Sequence, residues 1–355
     1  MRPKLHPHVA ISWRNATTLQ IGLSPDPAVL IQNATSRTLS NINSMDGVRT
    51  LDEIRARFEK DHSIESPHEP KFEEVLQALN AAHALVDADG QEGDPYLHKE
   101  FRERLLWQTN TQDLLRPTPD SGFLETQARK NAYVAVNGAD PLALATAHLL
   151  ALIGVGRVIT DTPDHLRYKL MPQTYVGLGP SWSRIGEPVI LATRAMLTEL
   201  NCKVTRPRGL AEPNFEIFSS WPQKSERDRV HAHSTPYLML ESAGVSANIG
   251  PLVLPGQSPC ARCVEISNSR NDPYWPGIVT QVSSKPNGAT DGLVDPAVIA
   301  WAASMAVMSV SAALSGEGRL ASSNPLIGQR LLLRCPGPNM RQVTFDLEPD
   351  CGCTG

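Results

Sequence analysis

Two short cysteine pairs, nearly ninety residues apart, constrain this 355-residue chain more than anything else in it. Cys260 and Cys263 form a Cys-x-x-Cys pair, and Cys351 and Cys353 form a Cys-x-Cys pair. Zn2+ takes four thiolates at about 2.3 Å, and two chelating pairs are an economical way to supply them. A fold that makes one tetrahedral site must bring residue 260 beside residue 353. The alternative is two redox-active or merely packed pairs, although packing alone gives no reason for two chelating spacings. An apolar run at 249–254 ends in Pro255-Gly256 just before the first pair, so these ligands follow a strand end.

The totals narrow the class. Net charge is -4, so no nucleic-acid footprint is expected, and the 41% apolar content is that of a globular chain. Six cysteines are too few for a disulfide-stapled secreted domain of this length. Residues 1–12 hold no apolar signal-peptide core, which points to a cytoplasmic protein. Residues 297–315 are weakly charged and follow Asp295-Pro296, a helix cap and a proline at the first helical position. The stretch is long enough to span a membrane. Its small residues and lack of flanking anchors favour a helix buried against a sheet, with no membrane partner.

Residues 1–90 read as one module. Three β-like runs lie at 9–12, 19–23 and 28–32, with Ser24-Pro25-Asp26-Pro27 as the turn between the last two. Thr50-x-x-Glu53 is a capping box opening a helix over 51–60. Pro70 starts another, in which Phe72, Val75, Leu76, Leu79, Ala82 and Leu85 recur at helical spacing. Arg49, Arg55 and Arg57 alternate with Asp52, Glu53 and Glu59, so no basic recognition helix is present. Residues 91–130 read as a linker carrying one helix at 99–109, between breaks at 93–95 and 117–119.

The second module opens with a buried strand at 132–136, a turn from Asn137 to Pro141, an apolar helix at 142–153 and a strand at 156–161 ending in Asp161. This βαβ order predicts a parallel sheet with helices on its faces. An intact dinucleotide turn reads G-x-G-x-x-G; here the positions are Gly138, Asp140 and Ala143. A carboxylate in place of the second glycine repels phosphate by about 4 kcal/mol per unit charge at 4 Å and an effective dielectric of 20. Asp140 has a simpler role as the helix cap before Pro141. Asp161, 23 residues beyond Gly138, stands where a ribose-binding acid would sit, or else is a polar strand end facing solvent. Residues 202–205 read as the third strand, with Cys202 a core thiol. Residues 206–236 are polar and proline-broken, and Asp228, His231 and His233 are the polar candidates there. His-x-His could hold a metal from one strand face but lacks a third ligand. Late strands at 330–334 and 342–345 predict a hairpin that returns the chain to the second cysteine pair, with Cys335 a buried strand thiol. No cysteine lies between Cys263 and Cys335, which argues against a thioester-forming enzyme.

One pattern also carries a family resemblance. It comprises Gly250-Pro251-Leu252-Val253, Pro255-Gly256, Pro259-Cys260 and Arg262-Cys263, then Asp272-Pro273 and Trp275-Pro276, closed by Cys351-Gly352-Cys353. This resembles the ThiF/MoeB-type branch of the ubiquitin-activating-enzyme superfamily, above all bacterial ThiF-like proteins of azole-forming (cyclodehydratase) peptide-modification systems. It covers about residues 130–355. The resemblance implies an α/β architecture: a Rossmann-like ThiF-type domain over 131–355 whose C-terminal part is stapled by structural Zn2+ through Cys260, Cys263, Cys351 and Cys353. The strand-then-helix order of 1–90 resembles a winged-helix module, in particular the PqqD-like precursor-peptide recognition element, which can take a leader peptide by adding a strand to a sheet edge; a small structural or dimerising domain is the alternative. A peptide or small-protein partner, a homodimer, and ATP with Mg2+ held near Gly138 and Asp161 are implied in the same way.

An adenylating enzyme of this class joins AMP to a peptide or protein C-terminal carboxylate and releases pyrophosphate. It needs a basic residue on the helix after the next crossover. The matching segment, 185–189, places Val189 there, with Arg184 and Arg194 nearby. The metal-binding aspartate after the fourth strand has no counterpart. Three altered positions together favour a peptide-binding platform with a degenerate nucleotide site. An active ATP-dependent adenylyltransferase is the alternative, with its catalytic residues unassigned. A nicotinamide or flavin oxidoreductase shares the βαβ unit, but meets the same Asp140 and leaves the cysteine pairs unexplained.

Overall fold

The computed structural model describes residues 1–6, 9–23, 29–62, 68–88, 103–106, 108–109, 111, 121–162, 165–169, 172–206, 212–283, 294–314, 324–337 and 339–353. The chain divides into two compact units, residues 1–127 and 128–355.

In the first unit, β1 (Pro3–Leu5) pairs antiparallel with β5 (Leu85–Asp87). Strands β2 (Ile11–Asn15), β3 (Thr18–Ile21) and β4 (Val29–Gln32) form an antiparallel sheet in the order β2-β3-β4. β2 runs later than the 9–12 expectation because Asn15 closes the hairpin, its Oδ1 accepting from Thr17 N at 3.0 Å. Helices α1 (Ser36–Asn43), α2 (Leu51–His62) and α3 (Phe72–Ala81) pack their apolar faces on the sheet through Leu19, Ile21, Ile42, Phe58, Val75 and Leu79. The Thr50–Glu53 box forms: Thr50 N donates to the Glu53 carboxylate at 2.8 Å, and Glu53 N to Thr50 Oγ1 at 3.3 Å. Leu85 is not helical. α3 stops at Ala81, His83 adopts a left-handed φ of +51°, and the chain turns into β5. The turn 24–27, residue 28 and the breaks at 93–95 and 117–119 lie outside the described residues. Of the helix read at 99–109, residues 103–106 and 108–109 are helical.

Helix α4 (Ser121–Asn131) leads into the second unit. There a seven-stranded mixed sheet is ordered β12-β11-β10-β9-β8-β6-β7. Strands β6 (Tyr133–Asn137), β7 (Arg157–Asp161), β8 (Phe215–Phe218) and β9 (Tyr237–Ala243) are parallel. β10 (Ser246–Val253), β11 (Gln329–Arg334) and β12 (Asn339–Thr344) continue antiparallel. The arrangement is Rossmann-like. Because β7 and β8 flank β6 on opposite sides, strand order reverses beside β6, and the crevice beyond the strand ends opens there. α5 (Pro141–Leu152) has almost no polar face and is buried with α11 (Pro296–Leu314) against the sheet. The 297–315 stretch is therefore a core helix on one side.

Two expectations fail here. Residues 202–205 are not the third strand: Lys203 makes one isolated bridge to Arg157, and β8, which lies between β6 and β9, is the third strand of this sheet in chain order. β8 is four residues long, lies between prolines 213 and 222, and is buried on both faces, so it shows no alternation. Cys335 is not a buried strand thiol either. It lies just past β11 and is half-buried, whereas Cys202 is a core thiol whose Sγ donates to the Val155 carbonyl at 3.3 Å.

Candidate metal centre and nucleotide turn

The first cysteine pair is set by a tight turn. After β10, Leu254 N donates to Ser258 Oγ at 2.8 Å, and Ser258 N returns a bond to Leu254 O at 3.0 Å. Cys260 then caps α9 (Ala261–Asn271), and Cys263 lies within its first turn. Ala261 N donates to Tyr237 Oη at 3.0 Å, which fixes the start of this helix against the first residue of β9. The second pair comes from the tail. A 3-10 turn at Pro349–Cys351 is followed by Gly352 with φ +70°, a left-handed step that suits glycine and turns Cys353 back toward Cys351. Arg270 of α9 holds the same tail through Glu348 at 2.6 Å and Asp350 at 3.8 Å.

The structure brings all four sulfurs within 4.8 Å of one another. Cys260–Cys351, Cys263–Cys353 and Cys260–Cys263 are separated by 3.4, 3.5 and 3.9 Å. A tetrahedron with metal–sulfur bonds of about 2.3 Å has edges of about 3.8 Å, so this donor set fits a Zn2+-sized ion. Four thiolates would also close the coordination sphere, leaving no position for water or substrate. Burial first, then the neighbouring cysteines, raises the Cys351 and Cys353 thiols, Cys353 to about 11. The cluster therefore resists gathering four negative charges unless a cation offsets them.

The nucleotide turn has a different character. Asn137 ends β6, and Gly138 follows with φ +149°. A Cβ on Gly138 would fall 1.7 Å from Ser219 Oγ, just beyond the adjacent β8. Ser219 in turn donates to the Asn137 carbonyl from both N and Oγ at 3.1 Å. Asp140 caps α5: its Oδ1 accepts from Leu142 N at 3.0 Å and Ala143 N at 3.2 Å. The amides at a helix N-terminus are the groups that would grip a phosphate; here a carboxylate of the chain itself takes two of them. Burial raises the Asp140 pKa, against the lowering effect of bonds from Ser219, Ala143 and Leu142. In the turn as built, these two amides are bonded to Asp140.

The other sequence candidates scatter. Asp161 ends β7 as the register partner of Asn137, exposed and 3.7 Å from Arg206. Val189 opens α7 (Val189–Glu199) and is fully buried. Arg184 is answered by Glu187 at 3.1 Å and Glu199 at 3.6 Å, and Arg194 is exposed. Asp228 and His231 lie on α8 (Lys224–Ala232), with His233 at its C-cap. The His-x-His pair therefore occupies a helix end, where residues two apart point away from each other rather than along one strand face.

Sequence reading missed Glu216. It is 1% exposed on β8 and accepts from Asn137 Nδ2 at 3.0 Å and from Arg229 Nη2 at 2.8 Å, with Arg229 Nη1 on its other oxygen. Glu216 raises the Arg229 pKa in return, first through these hydrogen bonds. A lone glutamate inside Phe215-Glu216-Ile217-Phe218 was the available signal: a charge in so apolar a run must be paired.

No protein-family model and no curated protein sequence matches the chain. Solved structures do. E. coli MccB superposes over 100% of this chain and 97% of its own, at 15% identity and a TM-score of 0.66. E. coli MccB with ATP gives 14% identity, 100% coverage of both chains and a TM-score of 0.66. PaaA gives 18% identity over 96% of this chain and 99% of its own, with a TM-score of 0.65. Other similar structures are the microcin C7 biosynthetic enzyme MccB in complex with N-formylated MccA, and E. coli MccB with AMPCPP and MccA. At these identities the likeness establishes a shared fold, and at that level the ThiF/MoeB-type resemblance is borne out.

Proposed function

From this shared fold we propose that the chain is a divergent ThiF/MoeB-type protein of peptide or protein modification, acting as a peptide-binding platform rather than as an adenylating enzyme. One observation carries the choice. The Asp140 carboxylate occupies the helix amides that would otherwise grip phosphate. The buried Val189 and the carboxylate-paired Arg184 agree with it. Structural Zn2+ on Cys260, Cys263, Cys351 and Cys353 completes the scaffold, within a cytoplasmic homodimer. The partner is a peptide or small protein. In the first unit β2 and β4 each pair only with β3 among the described residues, so a peptide strand has an edge to join. That fits a PqqD-like role for residues 1–90, and complexes of the similar MccB with MccA support a partner of this kind.

The second reading is an active ATP-dependent adenylyltransferase, with Gly138 and Asp161 at the nucleotide. The position of Asp161, level with Asn137 at the reversal of strand order, favours it. Calorimetric titration of zinc-loaded protein with ATP and Mg2+ separates the two, with an Asp140→Gly variant alongside. The platform reading expects no binding by the wild type at millimolar ATP and binding in the variant. Wild-type binding coupled to pyrophosphate exchange with a peptide would establish the enzyme instead.

A further inference from the structure

A cavity of about 240 Å3 opens at the far end of α5 and α7, and every residue that lines it lies among the described ones. His148 of α5 stands eight residues beyond the Asp140 cap, about 12 Å along the helix from the nucleotide turn. Met196, Glu199 and Leu200 belong to the end of α7, and Gly179 and Arg184 come from the segment before it. Position 179 requires glycine: its φ is +83°, and a Cβ there would fall 3.1 Å from Gln173 of the short helix α6 (Pro172–Tyr175). The Gly179 N–H donates to His148 Nδ1 at 2.9 Å. Burial keeps the ring neutral, so its proton sits on Nε2, and that donor has no partner among the described residues.

Two opposite charges line this cavity without satisfying each other. Arg184 Nη1 donates to Glu187 at 3.1 Å, but its Nη2 stands 3.6 Å from the Glu199 carboxylate, beyond hydrogen-bond length. A guanidinium has five donors and a carboxylate two acceptor oxygens, so both keep capacity to bond. The cluster also selects by charge. Two carboxylates around one guanidinium repel a bare anion, and the guanidinium repels a bare cation. A molecule that carries both charges close together meets neither obstacle. Met196, buried, and Leu200, half-buried, supply an apolar wall beside them. The volume is below the roughly 300–1,000 Å3 of sites for drug-sized ligands, so the occupant is small. We propose that this cavity binds a free α-amino acid with an aliphatic or thioether side chain. Its carboxylate takes Arg184 Nη2 and the His148 Nε2–H, its ammonium takes Glu199, and its side chain lies on Met196 and Leu200. An α-amino acid is a zwitterion at neutral pH, the charge pattern complementary to Arg184 and Glu199. The site goes beyond the platform reading and uses no residue of the nucleotide turn, so it holds whichever way that turn is decided.

The test uses the full zinc-loaded chain, with L-leucine and L-methionine as probes. Calorimetric titration should show one site per chain. A hundredfold excess over Kd should raise Tm by about 5 °C or more. 3-Methylbutylamine, which lacks the carboxylate, and 4-methylpentanoate, which lacks the ammonium, should each bind about tenfold more weakly or worse. The Glu199 side chain is exposed, so Glu199→Gln preserves folding. This variant should weaken L-leucine about tenfold while leaving 4-methylpentanoate unchanged or tighter. Arg184→Gln should weaken both. No heat and no Tm shift with L-leucine or L-methionine at millimolar concentration would overturn the proposal. So would an amine or acid that binds as tightly as the amino acid, or L-leucine binding that Glu199→Gln leaves unchanged.

Discussion

Removing the thiolates of the tail, by Cys351→Ser with Cys353→Ser, should destabilise the second unit by an amount set by chain entropy. Cys351 lies 88 residues beyond Cys263, so a metal bridging the two pairs closes a long loop across α9, α11 and the β11–β12 hairpin. Treated as a cross-link, closure of a loop this long removes about 4.5 kcal/mol of unfolded-state entropy at 25 °C. For a unit of this size each kcal/mol moves Tm by about 2–4 °C, so the expected loss is about 9–18 °C. The ion pairs from Arg270 to Glu348 and Asp350 still tether the tail without metal, which favours the lower half of that range. Metal analysis by plasma mass spectrometry and scanning calorimetry of wild type, chelated wild type and the double variant would measure both quantities. The reasoning fails if the purified wild type binds no Zn2+, or if the bound and stripped proteins melt within about 3 °C of each other.

Two other perturbations follow from the buried groups. Arg229→Ala leaves the buried Glu216 with only Asn137 as partner among the described residues and should cost about 3 kcal/mol in urea unfolding. Glu216→Leu combined with Arg229→Leu should cost clearly less, and an equal loss in both would refute the charge argument. His148 is held neutral by burial, and its Nδ1 accepts from Gly179 N at 2.9 Å. Its folded pKa is depressed, so this stability is present above the unfolded value near 6.5 and is lost as pH falls through the folded pKa. His148→Gln should flatten the decline of Tm between pH 7.5 and 5. His231, also depressed by burial, keeps a residual slope. An unchanged slope in the variant would remove His148 from the account.

The elements legible in the sequence were those with local causes. Thr50 and Glu53 announce a helix start, Asp140-Pro141 another, and the chelating spacing of four cysteines announces their meeting across 88 residues. β8 was not legible, because four residues buried on both faces show neither period. Its glutamate was the clue. The antiparallel half of the sheet was readable only from β10 onward, where a turn and a hairpin mark it. At the nucleotide turn the sequence shows which residues changed. It does not show that Asp140 bonds the amides of its own helix, since that depends on a rotamer and a cap geometry.

Gly138 bears on how such turns are interpreted. Glycine here is demanded by Ser219, whose hydroxyl occupies the space a side chain would need, and the two strand ends are fastened through the Asn137 carbonyl. A lineage that stopped using nucleotide would still pay for any replacement in misfolded protein. The residue could then outlast the chemistry it once served, and its presence in a descendant reports an inherited strand junction rather than a surviving activity.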